Sequence, residues 1–231
     1  TMKVLVFDVE ATGLFVNDNI PYVTQFSYII YNLYTKKLEK IVNYYVRIPS
    51  EVDLPQKVTE LTGITREMCD TKGKDIVDVL FEFYHDYHQV NKIVAHNYSF
   101  DSRLIKAEIG RHDEELHRLG CDRMLDILTI RYFREKKMSY TCTMKETINL
   151  CRIPFPEKKP TQAQVNNEKQ FTKRDNYKWP TLLELYKHLH KDDETLQFHN
   201  SLIDVYVCFR CYMKVFHKTE VHFLEVINAY V

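Results

Sequence analysis

The chain has 231 residues, of which 45% are hydrophobic and 28% charged, with 5 Gly and 7 Pro. This composition is typical of a folded globular protein and excludes a disordered or repeat-built chain. Because 32 basic residues balance 32 acidic ones, no net positive charge indicates nucleic-acid binding, although a site that holds divalent cations can bind phosphate on a neutral protein.

The first half of the chain predicts a sheet that begins with a hairpin. β-Branched and aromatic runs favour strands, and apolar residues at helical spacing favour helices. In chain order we predict a strand over 3–8, a hairpin of strands over 22–34 and 37–48, a helix over 55–65 that Gly63 stops, a helix over 74–88, and a strand over 92–97 followed by a helix near Asn97.

The second half continues with strands and helices. We predict a fifth strand over 121–128 and helices over 142–151, 181–190 and 201–216. Residues 152–178 are polar and interrupted by proline, which predicts a long loop or a lid, either functional or merely solvated. The order of elements predicts an α/β fold, a mixed β-sheet of about five strands flanked by helices, in a single domain over residues 2–231.

The six cysteines form no regular framework. Cys208 and Cys211 lie in an apolar segment without a second pair, which favours buried thiols over a zinc or redox site. No signal peptide and no apolar run of about 20 residues is visible. We therefore expect a protein of a reducing intracellular compartment, cytoplasmic or nuclear, that is not secreted and has no membrane partner.

Acidic side chains occur at the ends of three predicted elements. Asp8 and Glu10 lie two residues apart on a strand, so they share a face, although a D-x-E pair alone is also typical of solvated acids. Asp101 lies one turn after Asn97, where a strand meets a helix start; the alternative interpretation of Asn97 is a cap of that helix and nothing more. Asp204 lies near the start of the last predicted helix.

The position of His199 relative to Asp204 depends on where that last helix begins. Within one helix, five positions would turn the two side chains about 140° apart. If the helix begins after a cap at Asn200 or Ser201, His199 lies in a loop and can reach the same site as Asp204. Ser201 and Asp204 also fit a capping box, which would be a structural use of the same acid.

The conjunction of these clusters is more informative than any one of them. Four carboxylates in one site repel each other unless divalent cations fill it, and oxygen ligands of this kind suit Mg²⁺ or Mn²⁺. We therefore predict a site for two such cations, with the four acids as their ligands: Asp8, Glu10, Asp101 and Asp204.

These motifs resemble those of a known family. "FDVEATGL", "LTGIT", "VAHNYSFD" and "HNSLID" occur in the order and spacing of the DEDD-type 3′–5′ exonucleases of the histidine subclass, the DnaQ-like family that includes the proofreading epsilon subunit of bacterial DNA polymerase III. The resemblance covers nearly the whole chain and implies an RNase H-like fold. Ala11 and Ser201 depart from residues common in the family, but neither is a metal-ligand position.

The resemblance implies a role for each matching residue. The four acids would bind metal and act in catalysis, with His199 as general base, because histidine is the side chain best suited to accept a proton near pH 7. The residues expected to contact the 3′-terminal nucleotide are Ala11, Thr12, Gly13, Leu14, His96, Asn97 and Phe100.

The expected activity is two-metal-ion hydrolysis that releases 5′-mononucleotides from the 3′ end of DNA, with single-stranded or mispaired ends preferred. The alternatives are a 3′–5′ exoribonuclease that uses the same site and a binding module that has lost catalysis. The expected partner is nucleic acid with a free 3′ end, DNA ahead of RNA. The sequence leaves open whether a polymerase or another replication or repair protein also binds.

Overall fold

A five-stranded mixed sheet forms the centre of the fold in the computed structural model, which describes residues 2–16, 19–155, 177–190 and 196–231. The strands lie in the order β3-β2-β1-β4-β5. β2 pairs antiparallel with both β1 and β3, whereas β4 pairs in parallel with β1 and β5. Their bounds are β1 Lys3–Ala11, β2 Val23–Asn32, β3 Lys37–Tyr45, β4 Lys92–Ala95 and β5 Ser139–Cys142. The predicted fold class is confirmed.

Helices cover both faces of this sheet. They are α1 Gln56–Thr62, α2 Arg66–Lys72, α3 Ile76–Tyr87, α4 Tyr98–Arg111, α5 Asp113–Arg118, α6 Ile130–Lys136, α7 Thr143–Glu146, α8 Ile148–Cys151, α9 Leu182–Leu189, α10 Ser201–His217 and α11 Leu224–Asn228. No helix in the described part of the chain is long and apolar enough to span a membrane.

Strand alternation divides the core into two layers. Leu5, Phe7 and Val9 of β1 pack against the layer that contains α3, α4, α5 and α6. Val4 and Val6 pack against the layer that contains α9, α10 and α11. Because side chains alternate along a strand, each later residue of β1 faces one of these two layers according to its position.

The predicted fifth strand was wrong. Residues 121–128 form turns, and the fifth strand is β5, at Ser139–Cys142. The buried residues of the misassigned segment include Cys121, Met124 and Ile127, a spacing of three that suits turns packed on a core better than a strand of period two.

Other differences are smaller. The predicted helix over 142–151 is divided into α7 and α8 at Thr147, and the short helices α2, α5, α6 and α11 were not predicted. Most of the predicted loop or lid over 152–178 lies outside the described residues. All six cysteines are free thiols, and Cys208 and Cys211 are buried in α10.

Candidate active site

The end of β1 carries two carboxylates on the face that packs against α10. Asp8 and Glu10 continue the alternation of Val4 and Val6, so they point toward the same layer of helices. The pairing of β1 with β2 shifts register directly after Glu10. Irregularities of this kind are common next to active sites because they redirect side chains.

The start of α10 brings Asp204 to these acids. Asn200 caps the helix, and its side chain accepts hydrogen bonds from the N–H groups of Leu202 and Ile203. Ser201 anchors the same turn, because its N–H donates to Gln25 Oε1 at 3.2 Å. The cap is therefore Asn200 rather than the capping box considered for Ser201 and Asp204, and the Asp204 carboxylate is not used as a cap.

Three of the four predicted ligands converge closely. Oxygen atoms of Asp8, Glu10 and Asp204 all lie within 4.8 Å of one another. Asp101 approaches from α4, and its Oδ1 accepts a hydrogen bond of 3.3 Å from the N–H of Val9. Val9 is the residue of β1 that lies between Asp8 and Glu10. Four carboxylates from β1, α4 and α10 thus surround the end of one strand.

The electrostatics of this cluster favour protons or cations. Burial, followed by the neighbouring Asp101, Asp204 and Glu10, raises the pKa of Asp8 well above its ordinary value. Burial and the charges of Asp204 and Asp101 raise the pKa of Glu10 to about 8. Burial likewise raises the pKa values of Asp101 and Asp204 to about 7 each. Bound positive charge would reverse these shifts.

The donor set fits divalent metal ions. Asp204 Oδ1 is buried and has no hydrogen-bond partner within the described part of the chain, which is costly for a carboxylate oxygen unless a ligand satisfies it. Its Oδ2 accepts the N–H of His199 at 3.2 Å. An all-oxygen set of clustered carboxylates is the kind that Mg²⁺ and Mn²⁺ prefer.

His199 lies outside α10, as the helical geometry required. It is an exposed residue with φ +67°, two positions before the first residue of the helix. Its backbone N–H bond to Asp204 holds this turn against the acid cluster. The imidazole therefore lies at the edge of the acid cluster and is exposed to solvent.

An apolar pocket of about 520 Å³ adjoins the acids. Five of the predicted substrate contacts line it, together with Glu10: Ala11, Thr12, Gly13, Leu14 and Phe100. Val58 and Leu61 of α1 form the opposite wall, and the Leu61 side chain is 56% exposed. Sequence reasoning missed these two residues, although they belong to the segment that ends in the quoted motif "LTGIT".

The sequence matches the model of the exonuclease family RNase T over residues 5–212. The chain belongs to the RNase T exonuclease family. The match assigns an exonuclease domain to this chain, from a family whose members use divalent metal ions. The matched segment contains all four acids and His199. No curated protein matches the sequence significantly.

Solved structures share the fold at low identity. Escherichia coli exonuclease I in complex with a dT13 oligonucleotide superposes with a TM-score of 0.60 at 15% identity, over 93% of this chain and 41% of that one. The nuclease domain of 3′hExo, a DEDDh family member bound to rAMP, gives a TM-score of 0.57 at 14% identity, over 94% of this chain and 92% of that one. The chain thus spans less than half of the exonuclease I chain.

In this protein, the other two residues predicted to contact the substrate, His96 and Asn97, lie outside the apolar pocket. His96 is buried, and its ring nitrogens lie within hydrogen-bonding distance of Thr143 Oγ1 and the Pro180 carbonyl oxygen. Burial lowers the pKa of His96 to about 4, so the ring is neutral. Asn97 stands at the N-cap of α4 but makes no side-chain cap bond. Their contact with substrate stays a prediction.

Proposed function

We propose that this exonuclease removes 5′-mononucleotides from the 3′ end of a DNA strand that is single-stranded or mispaired. The observation that carries the proposal is the convergence of Asp8, Glu10 and Asp204 within 4.8 Å, next to an apolar pocket that can hold one terminal nucleoside. The acids address the phosphodiester, while the pocket binds the base and sugar beside it.

The lining of the pocket favours DNA over RNA. Most of its walls are apolar, including Leu14, Val58, Leu61 and Phe100. A ribose 2′-hydroxyl in such surroundings would lose hydrogen bonds to water and find few protein partners, which costs free energy. A deoxyribose does not carry this group, so the same walls accept it without that loss.

The acids would hold two divalent cations, Mg²⁺ or Mn²⁺. Asp8, Glu10 and Asp204 would bind one ion, and Asp101, with Asp8 as a shared ligand, would hold the other. When bound, such ions supply Lewis acidity to the phosphate oxygens and lower the pKa of water. The protein's own contribution is to keep four oxygen ligands fixed on β1, α4 and α10, so that little rearrangement is needed when the substrate arrives.

His199 would be the general base. A water oxygen attacks the terminal phosphorus, its proton passes to the His199 imidazole, and the bond from phosphorus to the 3′ oxygen breaks. The 3′ oxygen takes a proton from solvent and remains on the shortened strand, so the released nucleotide keeps its phosphate at the 5′ position. An exposed imidazole at the rim can then lose the acquired proton to bulk water.

The test uses 12-nucleotide DNA and RNA of matched sequence, each labelled at the 5′ end, with Mn²⁺ or with EDTA. The proposal expects one-nucleotide steps from the 3′ end, faster on DNA and absent in EDTA. Asp8→Ala and Asp204→Ala should abolish the steps, while Asp53→Ala, at an exposed acid that belongs neither to the acid cluster nor to the pocket lining, should not. Faster cleavage of RNA would overturn the DNA assignment, and hydrolysis in EDTA would overturn the role of metal.

A further inference from the structure

A second groove, of about 770 Å³, lies along a different face of α4 from the one that lines the apolar pocket. Residues of α4, the start of α6, β5 and α7 line it. Phe100 of α4 lines the apolar pocket, whereas Ser99, Ser102 and Lys106 of the same helix line the groove. These three recur at helical spacing, so one helix face forms a continuous wall.

The groove is positively charged although the protein as a whole is neutral. Arg103, Lys106 and Lys145 line it, against a single acid, Glu146. Lys145 Nζ donates to Ser99 Oγ at 3.3 Å, which holds this cation across the groove from α7 to α4. Basic side chains that follow a groove are typical of sites that bind a phosphate backbone.

An exposed aromatic ring lines the same groove. Tyr140 of β5 is 43% exposed. Its ring stacks on Tyr98, with centroids 4.5 Å apart and an interplanar angle of 27°, and on Phe133 at 5.4 Å and 25°. The two inner rings are buried, so they hold Tyr140 in place while part of its surface stays open. A fixed, partly open ring in a basic groove is a stacking surface for a base.

Helix α4 carries residues of both the acid cluster and the groove. Ser102 directly follows Asp101, and Lys106 lies four residues further, about 6 Å along the helix axis. Arg103 joins the two sites, since its guanidinium lies 3.9 Å from the centroid of the Phe15 ring, and Phe15 packs against Phe100. A strand whose last nucleotide occupies the apolar pocket has a basic path across α4.

We propose that this groove binds the nucleotides that precede the 3′-terminal one, with Lys106 and Lys145 on phosphates and Tyr140 stacked on a base. The inference rests on the proposed function and extends it, since it makes the substrate an oligonucleotide rather than a dinucleotide or a simple phosphodiester. The strand occupies the groove only when it is longer than the part held by the apolar pocket and the acids.

The test compares two substrates of different length. One is dT12, and the other is the p-nitrophenyl ester of thymidine 5′-phosphate, which is too short to enter the groove. The variant Lys106→Gln/Lys145→Gln removes two cations from the groove. The matched control is Lys36→Gln/Lys37→Gln, an equal charge change at exposed positions in the hairpin of β3, the sheet edge opposite β5.

For the groove variant, kcat/KM on dT12 should fall roughly 25-fold at 0.1 M salt, and the slope of log(kcat/KM) against log[salt] should become shallower by about 1.4, or 0.7 for each lost phosphate contact. The ester should be cleaved within about twofold of wild type. Tyr140→Ala should lower kcat/KM on dT12 about tenfold, and Tyr140→Phe should restore it, because the ring rather than the hydroxyl stacks.

Suppose that wild type is active on both substrates and that the slope of log(kcat/KM) against log[salt] is the same for the groove variant and its control. That result would overturn the assignment of the groove as a nucleotide-binding site and leave the proposed function intact. A parallel loss on dT12 and on the ester would also overturn it, because the variant would then have damaged the acid site. If wild type cleaves neither substrate with Mn²⁺, the proposed function fails and the groove assignment fails with it.

Discussion

Replacing Asp204, one of the proposed metal ligands, should stabilise the metal-free protein. Asp204 is 9% exposed, and burial raises the pKa of its carboxyl from an ordinary 3.8 to about 7. A raised pKa means that the folded protein binds this proton more tightly than the unfolded chain does. Stability therefore falls as pH rises from 3.8 to about 7, and the full penalty is present above pH 7.

The size of the penalty follows from the shift. About three pKa units correspond to about 4 kcal/mol when the carboxyl is ionised. Asp204→Asn keeps the shape and can still accept the His199 N–H, but it removes the charge. Because the four acids share their repulsion, we expect about 2 to 4 kcal/mol at pH 8. For a chain of this length that is a rise in Tm of roughly 5–15 °C.

The assay is thermal unfolding of wild type, Asp204→Asn and the exposed control Asp53→Asn, at pH 5 and pH 8, in EDTA or Mn²⁺. In EDTA the gain for Asp204→Asn should be large at pH 8 and smaller at pH 5, where the wild-type carboxyl is mostly protonated. Mn²⁺ should stabilise wild type more than the variant, because ligand binding to the folded state adds stability. A wild type that is more stable than Asp204→Asn in EDTA at pH 8 would refute the reasoning.

Three further substitutions test other parts of the site. His199→Ala should slow turnover about 100-fold with little change in metal binding. The control His188→Ala, at an exposed histidine of α9, should not slow it. Unchanged turnover in His199→Ala would exclude His199 as the general base. Leu61→Ser should raise KM for oligonucleotides several-fold while kcat stays close to wild type in steady-state assays. Asn200→Ala should lower stability by about 1 kcal/mol through the lost cap, measured by urea unfolding.

The sequence placed the acids that the structure brings together, but it misplaced the edge of the sheet. The acids could be placed because each stands at a fixed offset from a strand end or a helix start: Asp8 and Glu10 share a face by strand alternation, and Asp101 lies one turn after Asn97, where α4 begins. The placement of His199 before the last helix also followed from geometry, since His199 and Asp204 cannot share a target within one helix. The sequence left the cap open between Asn200 and Ser201, and the structure has Asn200. All of these are local rules.

The errors concern features that only tertiary contacts decide. β5 has four residues, too few for a reliable periodic signal, and it forms because β4 offers an unpaired edge. Val58 and Leu61 form a wall of the apolar pocket because α1 folds back against the end of β1, about fifty residues earlier in the chain. No local pattern distinguishes such apolar residues from an ordinary helix face.

The stability cost of the acid cluster and its affinity for metal have the same physical origin. β1 begins with apolar residues on both faces, but Asp8 and Glu10 occupy positions on the α10 side where continued alternation would place Val or Ile. Each charge loses hydration there, and nearby carboxylates add repulsion. A cation that enters the cluster removes both penalties at once. The free energy by which the ionised acids destabilise the metal-free fold therefore contributes to the free energy of metal binding. An apolar substitution at Asp8 should therefore stabilise the fold and abolish hydrolysis together, and a stabilised variant that retained activity would separate the two.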